Sequence, residues 1–233
     1  MSYRQFAANA VANASQDRRI NFIRLTYIHL GGAILSFAAL CGLFLKVGVG
    51  NTLLRFIGAG TFNMLLFFGA FMFGGYIAEK WSRNHSSMQM QYLGLFVYTL
   101  VEALFFAPIL QIAATYSDPS VIPSAGIMTG VVFAGLTGIT MVTKKDFSFL
   151  GGILQVVMLS AFGLIICSWL FGFKLGVLFS MAMVVLAGGY ILYETSAVMR
   201  HYPETAYVGA SLRLFSAVAL LFFYILRIFM SRD

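Results

Sequence analysis

Seven stretches of this chain are each about as long as a bilayer is thick, and they hold almost no charge. They lie at about 25–47, 55–78, 91–115, 122–143, 148–171, 174–196 and 207–229, each close to the ~20 residues a helix needs to cross the hydrocarbon core. In lipid every backbone N–H and C=O must be satisfied within the protein, so only helices and closed barrels can span. The runs are continuous rather than alternating, which excludes the pattern of a barrel strand. Composition agrees. The chain is 60% hydrophobic and 10% charged, with a mean hydropathy of +0.88, whereas soluble domains carry about a quarter charged residues. The expectation is an all-α integral membrane protein with seven transmembrane helices and the lipid bilayer as its solvent.

Residues 1–24 read as a polar, cytoplasmic N-terminal tail, disordered or interfacial, with Arg4, Arg18, Arg19 and Arg24 against Asp17. No apolar core precedes a cleavage motif, so this is not a secretory signal; an Arg-rich transit peptide is the alternative. Residues 25–229 form one seven-helix domain, and 230–233 a C-terminal tail. Turn residues mark the short connections at Gly48–Asn51, Asp118–Pro119, Lys144–Asp146, Gly172 and Pro203. Lysine and arginine accumulate on the inner side when the N-terminus is placed inside, which suits a multi-pass membrane protein with a cytoplasmic N-terminus. The last run is open to two readings. Arg227 and Arg232 favour a re-entrant path, and its length favours a full span. Gly126 and Gly130, continued by Gly135 and Gly138, make a GxxxG series. Gly58, Gly60, Gly69, Gly74 and Gly75 mark the second run. Small residues let membrane helices approach closely, so these read as bundle packing, with a dimer face as the alternative.

Several function classes find no support. The net charge of +7 is scattered between apolar runs, which fits topology and anionic headgroups rather than nucleic acid. Cys41 and Cys167 lie inside apolar runs and read as small core residues rather than a disulfide. His29, His85 and His201 are too widely spaced for a metal site. No nucleophile–base pair, phosphate loop or zinc motif is present, so neither an enzyme nor a cofactor is expected.

What remains is charge inside the membrane, which is costly unless paired or wet and therefore marks function. Glu102 lies about eleven residues into the third run, roughly 16 Å deep. It is either a neutral carboxyl bonded to a neighbouring helix or an ion or proton ligand, with Pro108 able to free a carbonyl nearby. Glu194 ends the sixth run. Arg213 lies about seven residues into the seventh, roughly 10 Å below the inner surface, with Ser211 and Ser216 near its level. A short turn joins these two runs, so Glu194 and Arg213 are expected to meet in the inner third and pair. Glu79, followed by Lys80 and Arg83, reads as a solvated interface charge.

YILYET (190–195) with LRLFSAVALLFFYILRIF (212–229), TKKDFSFLGG (143–152) and, more loosely, VYTLVEALFFAPIL (97–110) resemble the Bax inhibitor motif family over about 25–229. That resemblance implies six helices wrapped around a central C-terminal one, and a pH-sensitive calcium leak. It also implies a carboxylate at the end of helix six sharing a proton with a second carboxylate in helix seven. Glu194 matches the first position. Aligning Arg227 places Ala217 at the second, so that carboxylate is missing here, and Arg213 lies on the same helical face. Two adjacent carboxylates sense pH because both cannot ionise, whereas a carboxylate against an arginine does not titrate near neutrality.

The resulting expectation is a cation leak pathway, calcium being the permeant ion. It is closed by a Glu194–Arg213 pair, with weakened pH sensing and with Glu102 and Glu194 as the calcium-facing carboxylates. Ser216 and Ala217 flank the gate. Calcium prefers several oxygen ligands, and two carboxylates are few. The alternative from another class is a non-conducting membrane regulator that binds a membrane protease or a cell-death factor. A proton-coupled transporter using Glu102 is a third reading, without the broken-helix pair such proteins use.

Overall fold

The structure, a computed structural model, describes residues 11–83 and 87–231. The expectations placed on Arg4, His85 and Arg232 lie outside those residues. Among the described residues the chain is helical throughout. A 3₁₀ turn at Val11–Asn13 is followed by α1 (Gln16–Val47), α2 (Val49–Gly58), α3 (Thr61–Ser82), α4 (Met88–Tyr116), α5 (Val121–Thr143), α6 (Leu150–Phe171), α7 (Val177–Arg200) and α8 (Tyr207–Met230). All but α2 are long and apolar enough to cross a membrane, giving seven candidate spans. The share of the apolar window that is buried is largest in α8, at 56%, and next in α4, at 50%.

Two boundaries differ from the hydropathy reading. Helix α1 begins at Gln16, so Arg18, Arg19 and Arg24 lie on helix rather than in a tail. A helix satisfies its own backbone bonds in water as well as in lipid, and Phe22 and Thr26 give this stretch a buried side. The second span starts at Thr61 rather than near 55. Gly60 has φ 155°, a conformation L side chains rarely adopt, and it breaks the run into the short α2 and the spanning α3.

The helices form two compact units. The first runs to Asp118 and takes in Tyr202–Phe215. Its core contains Phe22, Leu30, Phe37, Phe106, Leu110, Leu212 and Phe215. Phe37 meets Phe106 and Phe215 edge-on, with centroids 5.1 and 5.7 Å apart, the arrangement that the ring quadrupole favours. Helix α3 packs on α4 where Gly94 has no side chain: a Cβ there would lie 2.6 Å from both the Ala78 carbonyl oxygen and the Ser82 nitrogen. Gly74, against Val101, makes a second close approach between the same helices. The Val11 N–H donates to the Tyr202 carbonyl at 2.9 Å, and Arg18 pairs with Glu204 at 3.5 Å. The 3₁₀ turn and the first turn of α1 are thus tied to the segment before α8.

The second unit holds Pro119–His201 and Ser216–Asp233. Leu154, Ala161, Met183, Leu186 and Tyr224 form its core cluster. Gly189 lets Leu154 close in, and Gly151 lies under the Tyr193 ring. The GxxxG series behaves differently. A Cβ at Gly126, Gly130, Gly135 or Gly138 would meet nothing within 4 Å, so packing inside this chain does not use it. Of the second-run glycines, Gly74 and Gly75 lie against side chains, while Gly58, Gly60 and Gly69 face open space.

Candidate functional site

The polar centre of the first unit grows from the end of α3. Glu79 lies one turn before that helix ends, and its carboxylate Oε1 accepts from two guanidinium groups. One belongs to Arg83, four residues on along the chain; the other is Arg213 of α8, at 2.8 Å. Local chemistry holds the acceptor in place. The Ser82 hydroxyl donates to the Glu79 carbonyl at 2.9 Å, and Gly94 draws the last turn of α3 against α4. Helix α8 reaches this point because Gly209 faces the Ser82 carbonyl, where a Cβ would lie 3.0 Å away. Arg213 is one helical turn beyond Gly209, on the same face. The close backbone approach at Gly209 therefore brings Arg213 to Glu79. Both side chains keep 35% of their surface, so the pair sits at a boundary rather than in the dry interior.

The same unit holds a short polar chain. His29 Nδ1 lies 2.7 Å from the Leu25 carbonyl, which can only accept. The nitrogen therefore donates, and Nε2 lies 3.1 Å from the Tyr92 hydroxyl. That hydroxyl is 3.3 Å from the hydroxyl of Tyr207. This chain links α1, α4 and the first turn of α8.

The expected site residues fall as follows. Arg213 meets Glu79, which composition and run boundaries had presented as a solvated charge. Glu79 is the partner of Arg213 that the runs do not point to. The available signal was its place at the end of a run with an arginine four positions on. Glu194 is buried on α7, 4% exposed, within the second unit. Glu102 is buried in α4 at 7% exposure, with the Tyr98 hydroxyl one turn away as its hydrogen-bond partner. Helix α4 continues unbroken through Pro108. The Ser211 hydroxyl turns back to donate to the Val208 carbonyl at 2.7 Å, so its bond stays within its own helix. Ala217 is buried and Ser216 half-buried. Among the described residues no group of three or more His, Cys, Asp or Glu side chains gathers as metal ligands would, so Glu102 and Glu194 belong to no such cluster.

The connection from α5 to α6 is the polar feature of the second unit. Asp146 Oδ1 accepts from the Ser148 N–H at 2.9 Å and from the Ser196 hydroxyl of α7 at 3.3 Å. Ser196 Oγ in turn accepts from the Phe147 N–H at 3.0 Å, and the Arg200 guanidinium donates to the Lys144 carbonyl. The Ser148 N–H holds the Asp146 carboxyl below its ordinary range. Partial burial opposes this; the Ser148 hydroxyl and the charges of His201 and Arg200 add to it.

A family model described as "Inhibitor of apoptosis-promoting Bax1" matches residues 19–233. The chain belongs to the Bax inhibitor family. This Bax inhibitor family member is 27% identical to protein lifeguard 4 of Mus musculus over 220 residues, covering 94% of this chain and 88% of that one. It is 28% identical over 225 residues to a Golgi anti-apoptotic protein of vaccinia virus, covering 94% and 89%. A 36% match to an uncharacterised protein of Pseudomonas aeruginosa runs over 113 residues, 47% of this chain and half (50%) of that one. The chain is therefore a multi-pass membrane protein of the Bax inhibitor and lifeguard type.

Proposed function

We propose that this family member is a cation leak pathway, with calcium as the permeant ion, closed by ion pairing at Arg213. The observation that carries the reading is the 2.8 Å pair between Arg213 and Glu79, made inside membrane-crossing helices and held there by the Gly209–Ser82 approach. A guanidinium at the mouth of a cation path repels cations, and a carboxylate that neutralises it also fixes its position. Glu102, buried in α4, is taken as a carboxylate facing the path. We place the N-terminus in the cytoplasm of a bacterial cell with the pathway in the inner membrane, and assign no enzymatic activity or cofactor. Because Ala217 stands where a second carboxylate would make a proton-sharing pair, and Arg213 lies one turn before it, flux is expected to respond weakly to pH near neutrality.

The test is calcium flux into proteoliposomes across a pH series, wild type against Arg213→Ala. Loss of a half-exposed pair worth ~1 kcal/mol raises flux about five-fold. Unchanged flux in that variant removes the latch.

The printed descriptions favour a second reading, since a viral relative is called anti-apoptotic and the family an inhibitor of apoptosis-promoting Bax1. Under that reading the chain is a non-conducting regulator that binds a protein partner. It predicts no flux from purified protein at any pH and a partner that co-purifies through the membrane.

A further inference from the structure

The connection between α5 and α6 is held more firmly than a six-residue link requires. Helix α5 ends at Thr143, and Lys144 then takes φ 50°, a left-handed conformation for a residue with a side chain. Such a backbone persists only where its surroundings impose it. Here the Lys144 N–H closes on the Thr140 carbonyl at 3.0 Å, and the Lys144 carbonyl accepts from Arg200. Ser196 and Asp146 pin the following residues. The outcome is a fixed pair of adjacent exposed lysines, Lys144 and Lys145, with Arg200 and an exposed His201 beside them. Asp146 offsets one of these charges, and Lys144, Lys145 and Arg200 against it still leave the loop net basic.

The same loop carries two aromatic rings. Phe147 and Phe149 have centroids 6.5 Å apart, and Phe149 is 65% exposed. Both flanking helices are spans, so the loop lies at the boundary between hydrocarbon and water. Aromatic rings settle at that depth, and lysines there face lipid phosphates.

We propose that this loop binds one anionic phospholipid, with Lys144 and Lys145 on the headgroup phosphate and Phe149 entering the acyl boundary beside it. The exposed ring would add nothing to a site for free phosphate, and its place at the end of a spanning helix gives it acyl chains to meet. The proposal does not depend on the leak reading. It needs only the membrane spans and the clamped loop.

The test uses the full chain and native mass spectrometry with phosphatidylglycerol and phosphatidylcholine. Wild type is expected to retain phosphatidylglycerol preferentially. Lys144→Gln with Lys145→Gln is expected to lower that retention on the order of ten- to thirty-fold, from about five-fold for each basic residue near an anionic surface. Lys46→Gln with Lys174→Gln removes the same charge from other exposed positions and is expected to leave retention within about two-fold. Equal retention of the two lipids by wild type overturns the proposal. So does an equal loss in both double variants, which would make the attraction one of general charge. Inorganic phosphate that binds alone as tightly as the lipid and displaces it also overturns the proposal, since the site would then belong to free phosphate.

Discussion

Replacing Gly94 with alanine adds one methyl group, and its effect has a sign that the α3–α4 packing decides. In an isolated helix the change is favourable by about 1 kcal/mol, because alanine loses less backbone freedom than glycine. In this fold the new carbon would lie 2.6 Å from the Ala78 carbonyl oxygen, 2.6 Å from the Ser82 nitrogen and 3.1 Å from the Ser82 Cα. All three are backbone atoms, so no side chain can rotate away and the helices must part. Overpacking costs typically ~1–3 kcal/mol, and the rigid neighbours place this case near ~3. The net effect is destabilisation of about 2 kcal/mol, or about 4–8 °C in Tm for a chain of this size. Thermal unfolding in detergent followed by tryptophan fluorescence is a direct assay, since Trp81 lies on the affected turn of α3. Gly126→Ala is the matched control. Its Cβ would meet nothing, so that variant should hold or raise Tm. A Gly94→Ala protein at least as stable as wild type, or a Gly126→Ala protein that drops as far, would refute the packing argument and the placement of Glu79 that rests on it.

Other outcomes follow from the two polar centres. In a double-mutant cycle on calcium flux, Glu79→Gln and Arg213→Ala should each raise flux. Their combination should raise it no more than the larger single effect, because both remove one interaction; additive effects would show that the two residues act apart. Asp146 sets a pH dependence in the loop. Its folded pKa is depressed, so its contribution is full above the ordinary carboxylate value and is lost as pH falls through the lower folded one. Protection of the Phe147 and Ser148 amides, measured against the free-peptide exchange rate at each pH, should therefore hold at neutral pH and fall in the acid range below about pH 4. Asp146→Asn should abolish that acid step, and an unchanged step would assign it to another group.

Much of the fold was legible because hydrophobic length is a property of the chain read in one dimension. Seven apolar runs without strand alternation imply seven spanning helices whatever their neighbours are, and six of the seven begin or end within a few residues of the run. The motif YILYET with the last apolar run likewise carried the family. The second span was misplaced because hydropathy continues through Gly60, where the break is a matter of backbone dihedral rather than polarity.

Contacts between helices were not legible in the same way. Sequence could say that Arg213 inside a span needs a partner, since an isolated charge there is costly. It could not say that Glu79 is a partner, because that depends on which way α3 and α8 are rotated and on the absence of a side chain at Gly209. The glycines make the same point. Gly94 and Gly126 look alike along the chain, yet one lies against backbone and the other faces open space. Composition and run length determine the solvent and the secondary structure, because each residue's transfer energy adds locally. The choice of neighbours belongs to the tertiary structure, because it depends on side chains far apart in sequence meeting within a few ångströms.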